Sequence, residues 1–570
     1  MQIYTSSYPT IPVPEESIFS FLLRRHLDKS PLTSPAFVDA GTGFTITRGE
    51  LRDLAFSVGW GLRNHLTVLG GVQLHRGDVA MIFSPNSIAW PVMFFGGIAA
   101  GLRMTLANSA YTARELRHQW EDSGAKVVFV HPDLLPIVQQ MFREKDVDLT
   151  EASRHIIIAD WPAPARSGSN DLIRIADLIG KGQLEQEEQF NGPASNETVL
   201  LCYSSGTTGK PKGVETTHRN LVTEVLITRT GFPQRGESKP VMLGVLPYYH
   251  IYGATQLLQY PFFHPMPVIV MPRFDVVELC KAIERYQVTQ ILVVPPMCLA
   301  LWRHPVIEQY NIKSLRLLVS GAAPLGKPMV EGTEGRLRAL GADVVLSQGY
   351  GLTETSPSSH CLPPDDTIRK AGSVGPLWAN LEARLVLEDG SDAKEGEPGE
   401  LWLRGPTVMK GYLNNPKATA ESITPDGWFK TGDIAIRDDE GYYYIVDRRK
   451  ELIKYKGFQV APAELEAVLL QHPEIADCAV VGVVSEAEAT ELPRAYVVHA
   501  KGLEPSQHAV FAKQVQDWLK PRVARHKELR GGVFLTDIIP KSAAGKILRR
   551  ELRDRAKNEP IVAAAVIAKL

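Results

Sequence analysis

Short apolar runs recur through the first 360 residues, and each ends at a cluster of Gly, Pro, Ser or Gln. Val79 to Phe83, Lys126 to Val130, Met242 to Leu246, Val268 to Met271, Ile291 to Val294, Leu315 to Val319 and Val344 to Leu346 are the clearest. Runs this short, apolar except at Lys126 and Arg316, read as strands. Separated by helix-like segments, they predict parallel sheet covered by helices. Ligands of such sheets gather beyond the carboxyl ends of the strands. The segments Leu246 to His250, Ser320 to Pro324 and Gln348 to Gly351 are therefore expected to follow strands as loops and to crowd one site.

From about residue 370 the period changes to alternation. Ala383 to Leu387, Gly399 to Arg404 and Ile434 to Arg437 read as antiparallel strands, and Asp438-Asp439-Glu440-Gly441 as a hairpin turn before Tyr442 to Val446. A separate unit begins near Asp447, with helices over Pro462 to His472 and Val510 to Leu519, and strands over Cys478 to Val484 and Ala495 to His499. No internal repeat is found. The chain has 570 residues, too many for one core, so about two to four domains are expected. A net charge of −2 predicts no broad field for nucleic acid or membrane. Cys202, Cys280, Cys298, Cys361 and Cys478 form no C-x-x-C pair, which argues against a zinc site or a disulfide framework. Met1-Gln2-Ile3-Tyr4 lacks a basic region followed by an apolar core, so a secretory signal is not expected there. Val79 to Leu102 carries no charge until Arg103, but Ser84 to Ser87 and Pro91 interrupt it, so a buried helix rather than a membrane span is expected there. Ala568-Lys569-Leu570 is a close variant of Ser-Lys-Leu, a peroxisomal address read by an import receptor.

In the stretch Leu200 to Val214, an apolar run, Thr198 to Tyr203, leads into small hydroxyl residues and glycines, Ser204-Ser205-Gly206-Thr207-Thr208-Gly209-Lys210, closed by Lys210, Lys212 and Gly213; Tyr203 to Val214 is its distinctive part. Glycines let backbone N–H groups turn around an anion, hydroxyls add donors, and lysines add charge. The spacing is not that of a Walker A loop, and Pro211 and Gly213 argue for a flap rather than a helix-anchored nest. Composition alone leaves two readings open, a polyphosphate cradle or a solvated linker.

Several further segments decide between them. His250-Ile251-Tyr252, Ser320 to Leu325, Gln348-Gly349-Tyr350-Gly351-Leu352-Thr353-Glu354-Thr355, Gly399 to Gly405, Thr431-Gly432-Asp433, Asp447 to Lys450, Ile453 to Phe458 and Pro540 to Lys546 follow in one order. Over nearly its whole length the chain resembles the adenylate-forming superfamily of acyl-CoA synthetases, firefly-type luciferases and peptide-synthetase adenylation domains, and within it the 4-coumarate–CoA ligase-like enzymes.

The resemblance implies an α/β fold: a large N-terminal domain of parallel and mixed sheets covered by helices plus a β-rich subdomain, residues 1–447, and a small mobile C-terminal α+β domain, residues 448–570. It implies an ATP-dependent acid–CoA ligase acting on an aryl, arylpropenoic or medium-chain acid, with ATP, Mg²⁺ and CoA. Carboxylate attacks the α-phosphate to give acyl-AMP and pyrophosphate, and CoA thiol then displaces AMP. Lys546 would serve adenylation. Ser204 to Lys210 would cover the β- and γ-phosphates, Thr353 would contact the α-phosphate, and Glu354 would ligate Mg²⁺. Gln348, Gly349, Tyr350, Gly351 and Ala322 would hold adenine, and Asp433 and Arg448 the ribose. His250, Tyr252, Ser320, Gly321, Gly349, Pro357 and Ser358 would line the acyl pocket, with His250 near the carboxylate. Lys450 would be the hinge, and Lys454, Lys456 and Gly457 would serve the CoA step. Ser356-Pro357-Ser358 departs from the Gly-Pro-Val of plant coumarate ligases, which alters a pocket wall. The alternatives are an adenylating enzyme with another acceptor, by luciferase-like oxygenation or carrier-protein loading in trans, and an inactive binding protein. Retention of Thr353, Glu354, Asp433, Lys450 and Lys546 argues against the last.

Overall fold

The structure is a computed structural model and describes residues 1–24, 30–163, 172–204, 211–232, 239–456, 458–486, 488, 490–542 and 545–560. Among them, two eight-stranded sheets form the large body. In the first, Thr198–Ser204, Arg103–Ala107, Val79–Phe83, Ala125–Val130, Ile156–Ile158 and Ile173–Arg174 run parallel, and Lys212–Thr217 and Gly411–Tyr412 extend the Thr198 edge antiparallel. The second has a parallel centre, Val345–Gly351, Leu317–Ser320, Gln290–Val293, Met242–Gly244, Val268–Val270 and Pro35–Asp39, with antiparallel strands at both edges. Both sheets contribute to one continuous core.

The apolar runs behave as their composition predicts. All of Val79–Phe83 and all of the helix Ala89–Ala99 are buried. Asn86, in the turn between them, is buried and clips the sheets together: its amide donates to Leu246 O at 2.9 Å and accepts from Tyr248 N at 2.8 Å. Among the described residues no helix is long and apolar enough to cross a membrane.

The third sheet is antiparallel, in the order Tyr4–Thr5, Glu382–Val386, Gly399–Arg404, Phe429–Arg437 and Tyr443–Arg448. Gly399–Arg404 alternates buried and half-buried positions, as its sequence predicts. After it, residues Ile453 to Ala556 build a second core of their own. Ile475–Ser485 and Thr490–His499 pair antiparallel there, Val533–Leu535 joins parallel, and the helices Pro462–Leu469, His508–Leu519 and Arg549–Ala556 pack around them. The first helix stops before the expected His472, which instead caps the next turn by accepting from Glu474 N.

Candidate active site

Ser204 lies opposite Lys212 across an antiparallel pair, so residues 205–210 connect two adjacent strands of the first sheet. Ser205, Gly206, Thr207, Thr208, Gly209 and Lys210 lie outside the described residues, as do Gly457, Ala543, Ala544 and Ala568-Lys569-Leu570. No helix follows the loop directly. The next helix, His218–Gly231, opens only at Thr217, where Thr217 and Asn220 cap each other. The loop's root is fixed. Tyr203 donates to Asp122 Oδ2 at 2.7 Å, and His118 Nε2 lies 2.9 Å from Pro211 O. A Cβ on Gly213 would sit 3.1 Å from the Tyr203 ring, so glycine lets the ring lie flat there. The Lys212 ammonium sits 4.4 Å over the Tyr412 ring, whose hydroxyl donates to Glu354 Oε1 at 2.9 Å. Glu354 thus shares a seat with the root of the loop.

Gln348 to Gly351 correct the expectation of a loop. They continue the strand Val345–Gly351 and pair antiparallel with Ser358–Cys361, Tyr350 opposite His360. The glycines do not break the strand because the partner backbone approaches closely: a Cβ on Gly351 would lie 2.1 Å from Pro357 O. The turn back runs through Thr353–Thr355 and Ser356, whose φ is +71°. Thr355 closes it, accepting from Leu352 N at 3.0 Å, so capping is not the task of Thr353.

The Tyr350 ring lies 5.8 Å from His360, which lies 4.6 Å from Tyr443. Burial pushes His360 down to about 3, so it backs Tyr350 as a neutral ring. Tyr350 donates to Asp433 Oδ2 at 2.6 Å, and Arg448 Nε sits 3.4 Å from Asp433 Oδ1. Asp433 does not precede a strand, as the sequence suggests. It lies within Phe429–Arg437, in register with Arg448, because the strand begins at Phe429 and carries Thr431 and Gly432 with it. Burial raises the Asp433 carboxyl, and Arg448, Tyr350 and Lys546 oppose that shift.

Lys546 comes from the far end of the chain. Its loop closes through Gly545 N to Ser542 O at 2.8 Å and Leu548 N to Pro540 O at 2.9 Å, and Lys541 anchors it with both oxygens of Asp477 at 2.8 and 2.7 Å. Gly545 has φ +76°, and a Cβ there would meet Val294 Cγ2 at 3.1 Å, so the tip rests against the large body. Burial pushes Lys546 down to about 8, with Arg448 adding to the shift and Glu451 and Asp433 opposing it. His250 is pushed down to about 4, first by burial and then by Lys546. Its Nδ1 accepts from Tyr252 N at 3.3 Å and caps the helix Ile251–Gln256. Lys546, Asp433, Arg448 and His250 therefore form one electrostatic cluster.

Tyr252 donates to Val319 O at 3.3 Å, and a Cβ on Gly321 would lie 3.2 Å from its ring. Ser320 ends the strand Leu317–Ser320 beside Gln348, and Ala322 turns the chain with φ +69°. One helical turn beyond Tyr252, Gln256 reaches Glu224 at 3.0 Å and Ser358 Oγ at 3.4 Å. Sequence reading missed Glu224, Gln256 and Asn86. The only signal for Glu224 was a lone acid in Leu221-Val222-Thr223-Glu224-Val225-Leu226-Ile227.

Three expected residues are not brought to this cluster. Lys450 is exposed in the turn after Tyr443–Arg448. Lys454 and Lys456 are exposed on Ile453–Tyr455 and the turn after it, with Lys456 paired to Glu488 at 2.7 Å. Phe458, 53% exposed, stacks on His526 at 4.4 Å. Among the described residues no group of three or more His, Cys, Asp or Glu could cage a metal. A single oriented carboxylate, Glu354, is the donor set expected of Mg²⁺, which takes one or two carboxylates and completes its shell with water and substrate phosphate.

Two family models match the chain: an AMP-binding enzyme over residues 23–413, and the AMP-binding enzyme C-terminal domain over residues 464–546. The first alone spans more than half of the sequence. The chain belongs to the AMP-binding enzyme family. It is 36% identical to a 4-coumarate–CoA ligase-like protein of Oryza sativa subsp. japonica, over 95% of this chain and 92% of that one. Its fold superposes on o-succinylbenzoate CoA synthetase from Bacillus subtilis in complex with an acyl-adenylate intermediate (TM-score 0.75, 26% identity, 97% and 99% covered). It also superposes on the anthranilate CoA ligase AuaEII (TM-score 0.81, 23% identity, 96% and 98% covered). These likenesses agree with the α/β fold and family read from the sequence. As a member of the AMP-binding family the chain is an acid–thiol ligase. In this AMP-binding enzyme the second core is held to the large body by Arg303, which donates to Ile475 O at 2.7 Å and Leu470 O at 2.8 Å. A Cβ on Gly326 would meet Ala467 Cβ at 2.9 Å along the same seam.

Proposed function

We propose that the protein is an ATP-dependent acid–CoA ligase that joins an aryl, arylpropenoic or medium-chain carboxylic acid to CoA through an acyl-adenylate. The observation that carries the reading is that Lys546, on a loop whose Gly545 tip rests against Val294, is coupled in charge to Arg448, Asp433 and His250. An ammonium there would stand where a carboxylate meets an α-phosphate. Charge builds on that phosphate as the acid oxygen attacks and leaves with pyrophosphate, so fixed cations lower the barrier. Asp433 would accept the ribose hydroxyls beside Arg448, and Tyr350 with Gly349 and Gly351 would give adenine a flat seat. Ala322 and Gln348 would border the base. Ser204 to Lys210 would cover the leaving phosphates, and Thr353 would donate to the α-phosphate. Glu354 would hold Mg²⁺, which neutralises phosphate charge when bound. His250, neutral at physiological pH, would donate a hydrogen bond near the carboxylate rather than add charge. Ser320, Gly321, Tyr252, Pro357 and Ser358 would line the acyl pocket.

The second step requires Lys454, Lys456 and Gly457 to approach the adenylate in place of Lys546. We propose that residues 448–570 rotate about Lys450 against residues 1–447 between the steps, exchanging the two lysine segments. The exposure of Lys454 and Lys456 and the half-buried place of Lys546 support this order. Arg303 would latch it. Arg303→Ala, which removes two hydrogen bonds worth about 1 kcal/mol each, is expected to slow acyl-AMP formation about 30-fold, while thioester formation from supplied acyl-AMP holds its rate. Equal loss in both half-reactions would contradict the latch.

The reading is tested by incubating the enzyme with a panel of carboxylic acids, ATP, Mg²⁺ and CoA, and measuring thioesters by mass spectrometry. Acyl-AMP without any thioester would remove CoA as acceptor. Ala568-Lys569-Leu570 supports a further proposal, entry into peroxisomes through an import receptor. Deleting these three residues should disperse a tagged protein into the cytosol, and unchanged location would refute the address.

A further inference from the structure

The short strand Gly411–Tyr412 closes one edge of the first sheet, with Val214 opposite Tyr412 and Glu215 opposite Gly411. Its backbone is fixed along its length. Met409 N donates to Glu354 O at 2.8 Å, Lys410 N to Glu215 O at 3.0 Å, Tyr412 N to Thr419 Oγ1 at 2.9 Å and Leu413 N to Gly213 O at 2.8 Å. The Tyr412 side chain packs with Val214, Met409, Ala418 and Phe429 in a small core of its own, and the residue is 9% exposed. Residues 409–413 therefore tie the root of the Ser204 to Lys210 segment to the turn that carries Glu354.

This scaffold aims one donor. The Tyr412 hydroxyl donates to Glu354 Oε1 at 2.9 Å, and the Lys212 ammonium lies 4.4 Å from the centroid of the same ring. The terminal torsion of a glutamate is soft, so a carboxylate left to itself samples a broad range of orientations. A hydrogen bond from a donor that is itself packed and hydrogen-bonded narrows that range and occupies one of the two oxygens. Among the described residues no donor reaches the other oxygen, Oε2, and it still touches solvent although Glu354 as a whole is only 8% exposed.

We propose that Tyr412 is a positioning residue for divalent-cation binding: its hydroxyl occupies Glu354 Oε1 and so leaves Oε2 for the cation that accompanies ATP. The inference rests on the reading of Glu354 given above and deepens it. Carboxylates that ligate metals are themselves hydrogen-bonded, and removing such a partner costs about 10–100-fold in metal affinity or activity. Mg²⁺ demands near-octahedral geometry and takes few protein ligands, so the orientation of a single carboxylate counts for more than it would in a cage of several. Lys212 adds a second constraint by holding the ring through its face, which links the root of the glycine-rich segment to the same carboxylate.

The test reads nucleotide binding rather than turnover. The dissociation constant of α,β-methylene-ATP, which cannot release pyrophosphate, is measured by calorimetry in EDTA and again in Mn²⁺. The ratio of the two constants is the gain that the metal brings. Glu354→Gln should reduce that gain by at least about tenfold. Tyr412→Phe, which keeps the ring, its core and the Lys212 contact, should reduce it by about tenfold and leave the constant in EDTA unchanged. Adding Tyr412→Phe to Glu354→Gln should reduce it no further, because both changes act through one carboxylate. Binding weakened equally in EDTA and in Mn²⁺ would mark a merely structural tyrosine and overturn the proposal. An unchanged gain in Tyr412→Phe, or an additive loss in the double variant, would overturn it too. A gain that survives Glu354→Gln would instead overturn the metal reading of Glu354, and the proposal with it.

Discussion

Lys546→Ala is expected to lower acyl-AMP formation by at least about 100-fold, the scale of losing one fixed electrostatic stabiliser in a water-poor site. Supplied acyl-AMP should still be converted to thioester if, as proposed, that step draws on Lys454, Lys456 and Gly457 instead. The split between half-reactions is the informative readout, since a merely structural lysine would impair both. The same side chain sets a pH dependence. Burial, helped by Arg448, holds Lys546 near 8 rather than its ordinary 10.5. Below that pH it carries the charge adenylation requires, and above it the neutral amine does not. The kcat/KM profile, which reports groups of the free enzyme, should therefore fall on its alkaline side near pH 8. The limb should vanish from the residual activity of Lys546→Ala. A limb near 10.5 would contradict the burial described.

The second large effect is on stability. Arg549 donates to both oxygens of Glu466 at 2.8 and 2.6 Å, to Glu451 at 2.9 Å and to Val480 O at 3.3 Å. Burial raises the Glu466 carboxyl, and Arg549 is the largest opposing influence. Arg549→Ala strands Glu466 and Glu451 near Asp447 with their shared cation gone. Breaking a buried pair from one side costs about 3–5 kcal/mol, so the unfolding transition of the second core should drop by that order in urea. Glu466→Gln in the same background should recover part of the loss by removing one uncompensated charge. A cost below about 1 kcal/mol, the range of exposed pairs, would contradict the burial.

What could be read in the sequence was local. Val79 to Phe83 declared a buried strand by composition alone, and Gly399–Arg404 declared an antiparallel one by alternation. The Ser204 to Lys210 segment, Thr353, Glu354, Asp433 and Lys546 stood out because each sits in a short segment of distinctive residue types. Glycine misled at Gln348 to Gly351. Gly349 and Gly351 read as loop punctuation, whereas they lie in a strand against a closely approaching backbone. Glu224 was hidden for another reason. Its partners Gln256 and Ser358 are 32 and 134 residues away, and nothing about an acid within a helical run foretells which remote amide will meet it. Asn86 is the same case, paired with Tyr248 across 162 residues. Contacts made by folding carry no local signature.

The central claim is a two-step reaction through an adenylate formed beside Lys546. The most direct measurement is a chase. The enzyme is incubated with ATP, Mg²⁺ and an accepted acid in the absence of CoA, quenched and examined by mass spectrometry, and a parallel sample receives CoA before quenching. The account predicts acyl-AMP and pyrophosphate in the first sample, and in the second the loss of acyl-AMP with matching gain of acyl-CoA and AMP. ADP with an acyl phosphate in the first sample, or thioester in the second from an enzyme that never formed acyl-AMP, would contradict it.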